Sequence, residues 1–146
     1  MMRATILVLV IGLIFSSCSK DKYTSAPQIK YKSLTSNVYD NTAQFAPSIV
    51  FSITDAEGDL GDTAIIHIKN LLSGDSIEVG FPNLNGATKK NLKADVTASI
   101  GRLQGCFAAN PPGHIDTMYY EVYVTDFAKN RSNTIVTGDP IYQQCQ

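Results

Sequence analysis

From Pro27 onward, apolar and polar residues alternate in short runs separated by turn residues. Gln28 to Leu34 alternates with the period of a half-buried strand, and its outward lysines suit a sheet edge. Ser48 to Thr54 places Ile49, Phe51 and Ile53 on one face, and Ala64 to Lys69 places Ala64, Ile66 and Ile68 inward. A turn at Ser73-Gly74-Asp75 leads to a strand over Ser76 to Phe81 that stops at Pro82. Leu92 to Ile100 alternates cleanly, and Asp116 to Thr125 predicts one long strand with Met118, Tyr120, Val122 and Val124 on one side. A last strand is expected over Ser132 to Thr137, followed by a tail to Gln146. No window holds a sustained 3.6-residue period with caps, so no helix of length is expected. About seven short strands with turns between them predict an all-β antiparallel sandwich over residues 27–146.

The first residues break this pattern. Arg3 is followed by an apolar run from Ala4 to Phe15 and then by Ser16-Ser17-Cys18. A charged start, a short apolar run and small residues are the layout of a secretory signal. The run falls well short of the roughly 20 apolar residues that span a bilayer. Because a cysteine follows the small pair, residues 1–17 resemble a bacterial lipoprotein signal peptide, with Phe15 where the common form has Leu. That resemblance implies cleavage before Cys18, a diacylglycerol on its sulfur and a fatty chain such as palmitate on the new amino terminus. More than one chain is what stable anchoring requires. The alternatives are a membrane-spanning helix and a cleaved signal with an incidental cysteine. Residues 18–26, polar and small, then form a lipidated tether. In lipoproteins of Gram-negative bacteria that this start resembles, Asp after the cysteine retains some proteins at the inner membrane; Ser19 stands there instead, so the resemblance implies the outer membrane, facing periplasm or surface.

With Cys18 assigned to lipid by that resemblance, Cys106 and Cys145 remain as one pair. A disulfide between them suits the same compartment, and two free thiols are the alternative.

A second resemblance lies in the body. Phe51-Ser52-Ile53-Thr54-Asp55-Ala56-Glu57-Gly58-Asp59-Leu60-Gly61, and Tyr120-Glu121-Val122-Tyr123-Val124-Thr125-Asp126-Phe127-Ala128-Lys129-Asn130-Arg131-Ser132-Asn133, resemble two signatures of small Bacteroidota-type lipoproteins. The second is also similar to the ending of bacterial immunoglobulin-like (cadherin-like) domains. In this chain Lys129 stands where that pattern has Gly, so a reshaped turn is expected there. The resemblance implies an immunoglobulin-like sandwich and no particular activity.

Charge narrows the function little: 12 Lys and Arg face 13 Asp and Glu, so no nucleic-acid-binding surface is expected. The candidate chemistry is in the acidic turn. Asp55, Glu57 and Asp59 alternate, Asp62 follows, and Asp126 is expected to join them from a loop at the same end of the sandwich. Oxygen ligands on a Gly-bearing loop suit calcium, although the spacing is not that of an EF-hand. A solvated acidic turn is the plain alternative. Tyr119 and Tyr123 point away from Tyr120 and are candidates, with Ile65, for an exposed strip that takes a protein or glycan partner. His67 and His114 have no companion at zinc-ligand spacing. Glu57 with Asp59 is the one pair with the look of a small hydrolase. A non-catalytic, lipid-anchored envelope protein is the expectation. A carbohydrate-binding accessory of a glycan-uptake system and a small hydrolase are the rivals.

Overall fold

The computed structural model describes residues 23–40, 46–61, 63–82, 90–106 and 113–145. The signal peptide expected over residues 1–17 and Cys18 lie outside the described residues, as does Asp62. Among the described residues there are ten strands and no helix. They are β1 (Gln28–Leu34), β2 (Val38–Tyr39), β3 (Ser48–Asp55), β4 (Ile65–Asn70), β5 (Ser76–Gly80), β6 (Leu92–Ser99), β7 (Ile115–Met118), β8 (Tyr120–Thr125), β9 (Ile135–Val136) and β10 (Ile141–Gln144).

Three sheets result, ordered β1-β3-β6, β2-β10-β7 and β5-β4-β8-β9. The all-β architecture is that of a sandwich. Alternation fixes the buried faces: in β3 every second residue is buried, and the same holds along β8. Phe51 lies opposite Tyr31 on one side and Val96 on the other. Ile66 and Ile68 of β4 pair with Val124 and Val122 of β8. All of these except the partly buried Tyr31 join one core with Ile49, Ile53, Leu60, Met118, Tyr120 and Ile141. Fully burying such a side chain is worth about 1.5–3 kcal/mol, so continuous alternation along four long strands is enough to specify which face turns inward.

The ten strands among the described residues exceed the seven or so expected, β2 and β10 run parallel where an all-antiparallel arrangement was expected, and β1 has a bulge between Tyr31 and Ser33 that interrupts its alternation. Three further details bear on how the sheets are joined. The long strand expected over 116–125 breaks at Tyr119: β7 pairs with β10, whereas β8 pairs with β4. Met118 and Tyr120 stay buried across the break, so the alternation is uninterrupted although the partner strand changes. At the break the Tyr119 carbonyl accepts from Leu71 N at 2.9 Å.

The strand expected over 132–137 shrinks to Ile135–Val136. Side chains take over its neighbours' backbone bonds. Ser132 Oγ accepts from Val124 N at 2.9 Å, and the Asn133 amide accepts from Ile29 N at 2.8 Å and donates to Ile29 O at 2.9 Å. Asn133 thereby ties the end of one sheet to β1 of the other.

The expected tail is instead β10, a central strand, parallel to β2 and antiparallel to β7. Its inward residues are Ile141 and Gln143. Buried Gln143 is why the run looked polar, and its Oε1 accepts from Gly105 N at 2.7 Å. Cys145, two residues on, is bonded to Cys106, so the anticipated disulfide is present.

Candidate metal centre

The same alternation that buries the core delivers two carboxylates to one end of it. Asp55 is the next inward position after Ile49, Phe51 and Ile53, and Asp126 is the next after Tyr120, Val122 and Val124. Each strand stops there, and each aspartate opens a turn. Gly58, at φ 72°, bends the first turn back so that its N–H donates to Asp55 Oδ2 at 2.6 Å. Only glycine takes that backbone conformation without a steric cost. In the second turn Asp126 Oδ1 accepts from Asn130 N at 2.7 Å and Oδ2 from the Asn130 amide at 2.9 Å. Lys129 itself adopts φ 69° there. The turn therefore keeps the left-handed residue that the glycine of the resembling pattern would supply, and the expected reshaping does not occur.

Asp59 links the two turns. Its carbonyl accepts from Phe127 N and its Oδ2 from Ala128 N, both at 3.2 Å. One oxygen each of Asp55, Asp59 and Asp126 then lie within 4.8 Å of one another. Glu57 is exposed and is not brought into this group. Strand parity would place Glu57 on the same face as Asp55, but β3 ends at Asp55 and the bend at Gly58 leaves Glu57 outward while bringing Asp59 against Ala128.

Electrostatics in the group are unfavourable for three bare carboxylates. Asp55 and Asp126 expose no surface. Burial pushes the Asp55 carboxyl above the ordinary range; the charges of Asp59 and Asp126 push the same way, and hydrogen bonds from the Gly58 and Asp59 backbone oppose them. Asp55 Oδ1 and Asp59 Oδ1 are buried without any hydrogen-bond partner. Among the described residues no basic side chain forms an ion pair with the three acids. The donor set is all oxygen, which fits a hard divalent cation such as calcium and not zinc.

No protein family, no curated protein and no solved structure matches the chain. Its residues are therefore what any functional reading must rest on.

The remaining candidates lie elsewhere. A second cluster of Cys106, Cys145 and Asp116 has its sulfurs joined to each other. Asp116 instead orders the chain around the bridge, accepting from Cys106 N at 2.5 Å and lying 3.0 Å from His114 Nε2. Tyr119 is exposed at the strand break, but Tyr123 is only half exposed. His67, its partner across β4, stacks on the Tyr123 ring at 4.3 Å, and Arg131, on the far flank of β8, lies 3.7 Å over the ring centre. Tyr123 thus sits inside a stack instead of offering a free platform, beside a shallow recess of about 230 Å³ lined by His67, Lys69, Glu78 and Glu121.

Sequence reasoning missed Asn130 as the residue that orients Asp126. It also missed the hydroxyl of Tyr120, which donates to Leu103 O at 2.6 Å. The first was signalled by an Asx residue four positions after Asp126; nothing in the sequence points to Leu103.

Proposed function

We propose that this is a lipid-anchored cell-envelope protein, held at the outer membrane through Cys18, whose immunoglobulin-like body has a structural or binding role and no catalytic one. The observation that carries the non-catalytic reading is the complete burial of Asp55 and Asp126. Acids that expose no surface make no direct contact with a bulky substrate, whereas acids that tie two turns together need none. Glu57 and Asp59, the pair considered for a hydrolase, are split between an exposed side chain and a buried oxygen.

The immunoglobulin-like reading is supported by the partition of strands. β1, β3 and β6 share one sheet, while β4, β5 and β8 share another. It is also supported by Tyr120 at the start of β8, whose hydroxyl reaches back to a backbone carbonyl in the connection after β6. Such sandwiches often carry a tyrosine whose hydroxyl bonds a carbonyl a few residues upstream; here the acceptor is 17 residues back, so the likeness is in the kind of bond and not in the corner. The anchor is supported by the Arg3, Ala4–Phe15 and Ser16-Ser17-Cys18 layout and by the disulfide, which suits an oxidising compartment. A glycan-binding role receives less support, because both flanks of the Tyr123 ring are occupied.

Mass spectrometry of chain purified from membranes tests the anchor. The expected species begins at Cys18 and carries two or three acyl chains. An intact leader, or an unacylated start, would overturn the reading. Retention on a polysaccharide panel, lost on Tyr119→Ala with Tyr123→Ala, would replace the structural role with the glycan-binding one.

A further inference from the structure

We infer that Asp55, Asp59 and Asp126 form a calcium site that locks together the two turns at one end of the sandwich. Two oxygens bound to one calcium at about 2.4 Å cannot be more than about 4.8 Å apart. The three carboxylates meet that limit. Convergence alone is common among acids. Here a second observation points to a ligand: Asp55 is wholly buried, yet its Oδ1 has no donor, and the Oδ1 of Asp59 is in the same state. Polar atoms buried in native proteins are satisfied by protein, water or ions, and a charged one most of all. Asp126 remains able to ligate, because each oxygen uses one lone pair on Asn130 and retains another.

The donor chemistry selects the ion. Magnesium demands a near-ideal octahedron and keeps several waters, whereas calcium accepts an irregular set of six to eight oxygens. Carboxylates from two separate turns and one strand end make an irregular set. Water or backbone carbonyls complete the shell.

The position suggests what the ion does. Ala56 N donates to Thr24 O, and Asn91 N donates to Ala56 O, both at 3.1 Å. The acidic turn is therefore where the chain enters the domain from the Cys18 side. A bound calcium would fix the β3–β4 turn, the β8–β9 turn and this entry point as one rigid end, with Phe127 exposed beside it. The site belongs to the folded body, so it stands or falls separately from lipidation.

The test uses the full chain in mild detergent, stripped with chelator and titrated with calcium or magnesium chloride. Phe127→Trp, at an exposed position, supplies a fluorescent reporter in a chain that has no tryptophan. Calcium is expected to raise the melting temperature by several degrees and to change the reporter signal saturably, with magnesium at least tenfold weaker. Asp59→Asn should abolish the response while raising the melting temperature in chelator, since one repelling charge is gone. Glu57→Gln should leave the response intact. Should Asp59→Asn fail to fold, the parent titration and Glu57→Gln still decide. A folded parent chain with no response to millimolar calcium overturns the inference. So do equal responses to the two metals, or a response that Glu57→Gln abolishes.

Discussion

Removing the Cys106–Cys145 bridge should be the most damaging change outside the core. The bridge joins residues 39 apart in sequence. Closing a loop of that length in the unfolded chain removes entropy worth about 4 kcal/mol in the chain-entropy model. That is a large share of the roughly 5–15 kcal/mol that holds a domain together. The bridge adds to backbone bonds that already hold the segment around β10. β10 lies between β2 and β7, and Cys145 exchanges backbone bonds with Gly113 and His114 at 2.8 and 2.9 Å. These bonds survive in the double variant Cys106→Ala with Cys145→Ala, so the loss should be close to the entropic figure and not greater. Urea unfolding followed by circular dichroism should show stability lower by about 3–4 kcal/mol. The m-value should rise, because an uncross-linked unfolded chain exposes more surface. A loss under about 1 kcal/mol with an unchanged m-value would refute this, and would mean that the unfolded chain is already held compact around that loop.

In chelator, the raised Asp55 carboxyl gives a definite pH signature. The folded state holds that proton to higher pH than the unfolded chain does, so the Asp55 contribution to stability should fall as pH rises from the ordinary aspartate range through the folded value; chelator-treated melts in which the parent gains on Asp55→Asn over that range would contradict it. Tyr120→Phe removes the donor to Leu103 O inside the core, and should cost about 1–3 kcal/mol by chemical denaturation with no change in fold. Lys129→Gly should stabilise the turn by up to about 1 kcal/mol, since glycine takes φ 69° without steric cost; a clear loss would show that the Lys129 side chain contributes contacts of its own. Gly105→Ala should destabilise, because a Cβ there would sit 2.6 Å from Asp116 Oδ2 and 2.9 Å from its Cβ, and a thermal melt within a degree of the parent would count against that close approach.

Alternation in the sequence was sufficient for the fold class, for most strand positions and for the inward faces of β3, β4, β6 and β8. A period of two is a local property, and a core that excludes water enforces it wherever the chain runs. It also carried more than it was asked for: the parity that buries Phe51 and Val122 buries Asp55 and Asp126 as well. Which strand lies beside which is not local. The break at Tyr119 leaves the alternation intact while exchanging β10 for β4 as partner, so no reading of residues 115–125 by themselves could find it. Gln143 looked like part of a polar tail because the group that satisfies it, Gly105 N, is 38 residues away. Glu57 and Asp59 look equivalent along the chain, and only the bend at Gly58 sends one outward and brings the other against Ala128. The sequence by itself determined which face of each long alternating strand turns inward. The tertiary structure decided which buried groups meet, because that depends on contacts between segments whose separation along the chain carries no trace of their distance in space.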